Sequence, residues 1–212
     1  NINKLETING SRLKKWGKEA FEAIPGARVV ANPLVLAATA IGVAGKSALS
    51  FDEGMAKVNV TAELQKDKLA TLKTQLLVLG QKYGAEMGKV PDSFEAILSV
   101  LGEVNPSLQV FETSLKGAKA TGTELDIVSK ALASTKSILN EDRISADEVL
   151  NTFLAAKRVG AGEFKDFASY MPGLIASAGN LGIKWKQATG LFAYMTTKVA
   201  SASDATMLMQ NV

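Results

Sequence analysis

The sequence contains no cysteine and no histidine. Without cysteine there is no disulfide staple and no thiolate nucleophile, and the lack fits a reducing origin. Without histidine the commonest metal ligand and the commonest general base are missing, and no Ser-His-Asp triad can be assembled. An enzyme built on this chain would have only carboxylates, lysines, tyrosines and hydroxyls. Aromatic residues are 6% of the 212, and alternating β-branched runs barely occur, so strand signals are scarce. A strong charge of one sign is also lacking. The net charge is +3, with seven basic and three acidic side chains in residues 1–50 and a near-neutral remainder. That is a mild basic lead, well short of a nucleic-acid-binding stripe.

What is present is helix grammar. Apolar residues at 47% suffice for a core, and most segments space them by three and four. "SRLKKWGKEAFEAI" (11–24) reads as a short basic amphipathic helix ended by Pro25-Gly26. "PLVLAATAIGVAGKSALS" (33–50) reads as an apolar helix. Its uncharged part, residues 33–45, holds 13 residues, where a bilayer-spanning helix needs about 20. A covered helix is the first reading of it, and a membrane-active segment is the second. From Phe51 the positions Phe51, Met55, Val58, Ala62, Gln65, Leu69, Leu72, Leu76, Leu79 and Tyr83 alternate spacings of four and three. This predicts a long helix with a heptad-like seam, interruptible near "NVT" (59–61), for a bundle core or a coiled coil.

Gly80, Gly84 and Gly88 then loosen the chain. The next predicted helices are 91–104, with Asp92 as N-cap, 106–121, and 121–139 with Leu125, Val128, Leu132 and Ile138 on one side. Residues 144–160 open on a capping box, Ser145 to Glu148, and close at Gly160. Residues 163–182 read as a helix broken at Met171-Pro172, followed by helices over 184–201 and 203–212. The expected fold is all-α: multiple short helices plus one longer heptad-patterned helix, in a bundle or an extended helical assembly. The expected division is a basic and apolar lead, 1–50, ahead of a helical region, 51–212.

Three stretches carry possible chemistry. "AIGVAGKS" (40–47) fits a relaxed phosphate-loop pattern ending in Gly45, Lys46 and Ser47. Such a loop needs a strand before it, a helix after it and a sheet to mount it, and no further strands are in sight. The carboxylate pairs Asp52-Glu53, Glu141-Asp142 and Asp147-Glu148 sit near helix starts, where they complement the helix dipole. Trp185 between Lys184 and Lys186 could suit nucleic acid, but lysines snorkelling at a helix edge explain it equally. The sequence therefore predicts no catalytic residue, no metal site, no cofactor and no specific nucleic-acid site.

The block "FDEGMAKV", with Phe51, Glu53, Met55, Ala56, Lys57 and Val58, resembles the conserved helical region of bacteriophage or prophage tail tape measure proteins. The ordered series "GTELDIVSKALAS" (122–134), "SADEVLNTFLAAKRVG" (145–160) and "SYMPGLIASAGNLGIKWKQATGLFAYMT" (169–196) resembles the same region, so the likeness runs over 51–212. The resemblance implies a structural, non-enzymatic protein that sets tail length and can assist genome passage into the host. It implies the virion tail lumen as the site of action, reached by assembly in the host cytoplasm. It implies partners in further copies of the chain, the tail tube and tail-tip or baseplate proteins, with possible membrane contact through 33–50. At 212 residues from Asn1 the chain is expected to be a piece of a longer protein. The alternative function is a membrane-active, toxin-like helical protein using 33–50.

Overall fold

The computed structural model describes residues 46–140 and 144–210. Among them are nine α-helices and no strand: α1 Lys46–Ala62, α2 Lys66–Tyr83, α3 Val90–Leu101, α4 Val104–Thr121, α5 Leu125–Leu139, α6 Ala146–Val159, α7 Phe164–Asn180, α8 Trp185–Thr196 and α9 Ala202–Gln210. The all-α expectation holds. Most helix ends follow local chemistry. α2, α3 and α4 stop at glycines in the left-handed region, Gly84, Gly102 and Gly122, and α5 stops in the same way at Asn140. The Ser145 hydroxyl accepts from the Glu148 amide at 3.0 Å and starts α6. The Glu148 carboxylate turns to Lys186 instead of completing the box. A full capping box stands at the start of α7, between Glu163 and Asp166.

Several boundaries differ from the sequence reading: the helices expected over 91–104 and 184–201 stop early, at Leu101 and Thr196, and three further differences change the reading itself. The seam from Phe51 to Tyr83 is two helices rather than one. Glu63 takes a positive φ of 49°, and the chain re-enters helix at Lys66. Asp92 lies inside the first turn of α3, whose N-cap is Lys89. α7 runs through Pro172 without breaking. The proline costs one backbone hydrogen bond to the carbonyl of Ala168. Phe167, Ala168 and Met171 before it, and Leu174 and Ile175 after it, are all buried, so packing holds both halves in one helix.

The helices interlock by a simple rule. In one layer α1 packs on α3, α3 on α5, α5 on α7 and α7 on α9; in the other α2 packs on α4, α4 on α6 and α6 on α8. Sequence neighbours from α2 to α9 bridge the two layers. Among the described residues no helix packs substantially on one three or more places along. This is the scheme of an α-solenoid, a quasi-one-dimensional stack with α1 and α9 at opposite ends. The expected choice between bundle and extended assembly resolves into a stack built from short helices.

The scarce aromatics fill its interior. Phe51, Phe94, Phe111, Phe153, Phe167 and Phe192 are all essentially inaccessible to solvent. Phe94 meets Phe111 edge-on at 5.7 Å, and Phe167 meets Phe192 at 5.3 Å. α5, with helices on several sides, is buried almost all round: Val128, Ser129, Ala131, Leu132, Ala133 and Thr135 face inward. Ile138, expected on that inner side, is 40% exposed, and Thr135 takes the buried position instead.

The Thr135 and Ser129 hydroxyls have no hydrogen-bond partner although both side chains are buried. An unpaired buried hydroxyl retains its desolvation cost. Thr135→Val, which keeps the shape and removes the oxygen, is therefore expected to raise the unfolding free energy by about 1 kcal/mol. The midpoint of urea unfolding reads the change, and a lowered midpoint would contradict it.

Candidate functional site

The family-like motif divides along helical spacing. Phe51, Met55 and Val58 lie four and three apart and are buried; Glu53, Ala56 and Lys57 lie between them and are exposed. The buried side faces α3. A Cβ added at Gly54 would stand 2.7 Å from Cβ of Pro91, so the two helices approach as closely as glycine permits. On the outer rim Lys57 Nζ meets Asp92 Oδ1 at 3.1 Å, and Thr61 donates to Glu95 at 3.2 Å. The motif is thus the lock between the first two helices of one layer.

Charged side chains repeat that theme along both layers. Lys57–Asp92 joins α1 to α3, and Lys165 meets Glu124, the N-cap of α5, at 3.6 Å from α7. Lys82–Glu112 at 2.8 Å joins α2 to α4, Lys116–Asp147 at 3.5 Å joins α4 to α6, and Lys186–Glu148 at 2.7 Å joins α6 to α8. Every one of these bridges connects a helix to the next but one. Exposed pairs of this kind are each worth roughly 0–1 kcal/mol, so their main effect is to fix register between stacked helices.

These pairings account for several of the candidate chemical groups. Asp52 is paired with Lys73, and Asp147 and Glu148 serve α4 and α8. Lys186 bonds Glu148 while lying 5.4 Å from the Trp185 ring centre. Glu141-Asp142 lies outside the described residues, as do residues 1–45, which include the expected basic helix over 11–24 and the uncharged run over 33–45. Of the phosphate-loop pattern, Lys46 begins α1. Among the described residues no strand exists to mount such a loop, and no cluster of three or more acidic side chains could hold a metal ion.

Glu112 accepts two short hydrogen bonds. Hydrogen bonds from Lys82 and from the Tyr83 hydroxyl, the latter at 2.9 Å, hold its pKa below the ordinary value of 4.5, against a smaller upward push from burial. A depressed folded-state pKa contributes stability above the ordinary glutamate range, lost as the pH falls through that lowered value. Glu112 is about a third exposed. Glu112→Gln is therefore expected to cost about 0.5 kcal/mol near neutral pH after solvent screening. The difference from the parent should vanish on acidification, and thermal melts at neutral and strongly acidic pH check both halves.

At the far end of the stack the surface changes character. α7, α8 and α9 enclose an apolar groove of about 240 Å³, whose walls include Leu174, Leu181, Leu191, Met195, Leu208 and Met209. Leu181, Leu191 and Leu208 are 67%, 46% and 46% exposed. The sequence reading missed this groove because it joins residues from three helices, each ordinary by itself. No helix among the described residues is long and apolar enough to cross a membrane.

A stack of helices with ion-paired edges and a partly exposed apolar groove is suited to assembly. The model of the phage-related minor tail protein family matches residues 73–212. The match begins within α2, so the motif at Phe51–Val58 lies ahead of it. No curated protein and no solved structure matches the chain. The family match covers most of the chain and almost the whole stack: this chain belongs to the phage-related minor tail protein family, and its role is structural, in the phage tail.

Proposed function

We propose that the chain acts as a tape measure protein does, setting tail length during assembly in the host cytoplasm and assisting genome passage from the tail lumen. The family match supports the tail setting, and the ordered motif series over 51–212 supports this finer role. The observation that carries the mechanism is the stack itself. The 165 residues from 46 to 210 laid end to end as helix would reach about 250 Å. Stacked helices advance only about 8–10 Å per layer step, so the four steps from α1 to α9 cover roughly 32–40 Å. In this form the region contributes little length. It serves as a folded anchor, holding the length-setting protein to tail-tip or baseplate proteins and to the tube. The proposed role is structural rather than catalytic.

Phage lacking this chain should produce tails of unregulated length or assembly stalled at the tail tip. Electron micrographs of purified particles give the readout, and tails of normal, uniform length would overturn the proposal.

A further inference from the structure

α1 is docked firmly on α3 and joined only loosely to α2. Among the described residues its substantial packing is on α3 and on the turn Met87–Lys89 just before it. The ion pair Asp52–Lys73 links it to α2, with little packing besides. The link between the two helices, residues 63–65, is strained. Glu63 holds a left-handed backbone at a φ of 49°, a region unfavourable to any residue with a Cβ, where α2, α3 and α4 each end on glycine. The local sequence does not ask for a stop. Ala62, Glu63, Leu64, Gln65 and Lys66 are all strong helix formers, and neither glycine nor proline occurs from 55 to 79. The four-and-three spacing that runs from Phe51 to Tyr83 passes through 63–65 in phase.

If 63–65 turned helical, residues 46–83 would form one helix of about 57 Å. α1 could not then stay on its own α3. Tyr83 would stand about 44 Å beyond Gly54, the residue that meets Pro91. The eight steps of chain from Tyr83 to Pro91 reach at most about 29 Å. The α3 face left open is shaped to α1 and nothing else on this chain, and a second copy carries the same α1. We propose that two copies of this chain exchange α1, each laying Phe51, Met55 and Val58 on α3 of the other while 63–65 becomes continuous helix. The exchanged interface is the α1–α3 lock already described, so its contacts are kept. The gain is relief at Glu63 and one unbroken helix, set against the entropy of joining two copies. Short strained hinges favour this kind of exchange, and a reciprocal exchange closes on a dimer.

Sedimentation of the full chain, refolded from urea over a range of concentrations, tests this. The mass should rise from one copy to two as concentration increases. Glu63→Gly removes the left-handed penalty and weakens the straight helix, and each dimer holds two hinges. It should raise the dimer dissociation constant at least tenfold. Glu63→Ile, whose branched side chain fits the left-handed turn poorly, should lower it. Cross-linking separates exchange from any other dimer. The sequence has no cysteine, and Thr61 meets Glu95 across the α1–α3 rim at 3.2 Å. A Thr61→Cys chain refolded together with a Glu95→Cys chain should give dimers that a short bis-maleimide links between the two copies. A monomer at every concentration would overturn the proposal. So would a dimer unmoved by Glu63→Gly, or one in which only a chain carrying both cysteines is linked, and then within itself. None of these outcomes bears on tail length in particles, so this inference and the proposed function fail separately.

Discussion

Truncating Phe167 to alanine is expected to cost about 3–5 kcal/mol, the range for a fully buried phenylalanine whose cavity does not collapse. Phe167 has no solvent exposure, and its ring meets Phe192 edge-on. The informative part is where the damage appears. In a globular core the loss would be shared by the whole domain. In a stack whose helices touch only the next and the next but one, stability is a sum of local interfaces. Phe167 lies in α7, which packs on α5, α6, α8 and α9 and makes no substantial contact with α1, α2 or α3. Amide hydrogen exchange should therefore show protection falling first across α6 to α9, while α3 and α4 stay near their parental values. A uniform loss of protection from α1 to α9 would show that the array unfolds as one unit and would count against the one-dimensional reading.

The individual helices were legible in the sequence, and their arrangement was not. Gly84 was legible as a point where the chain loosens, but the helix read over 91–104 ran past Gly102, the left-handed residue at which α3 stops. Pro172 failed as a breaker because burial on both sides of it outweighs one lost backbone bond, a comparison that needs the partners of α7 to be known. The Phe51 motif was legible as a unit, but its division into a buried α3-facing side and an ion-pairing rim was not. Its register depends on Gly54 meeting Pro91. Some trace of the stacking was present. The bridging charges Lys57–Asp92, Lys82–Glu112 and Lys116–Asp147 are separated by 35, 30 and 31 residues, about one helical pair each. A search for opposite charges at that interval would have suggested the layers. The apolar groove left no such trace, because its walls converge only when three helices are placed.

Gly54 offers the sharpest test of how the layer begins. On helix propensity alone, Gly→Ala inside a helix should stabilise by about 0.5–1 kcal/mol. At Gly190, in α8 and with no atom within 4 Å of an added Cβ, that gain should be realised in full. At Gly54 the new methyl would meet Pro91 Cβ at 2.7 Å and Cγ at 3.1 Å. The pyrrolidine ring has no rotamer through which to withdraw, so α1 must shift off α3. Overpacking of this kind costs about 1–3 kcal/mol, and the sign at Gly54 should reverse. The shift would also lengthen Lys57–Asp92 and draw Phe51, Met55 and Val58 out of their buried positions, since all lie on the same helix. Gly54→Ala should therefore lower the urea midpoint and expose α1 to protease, while Gly190→Ala raises the midpoint. If both substitutions stabilise equally, α1 is not held against α3 by this contact, and the motif owes its buried half to something other than the first lock of the stack.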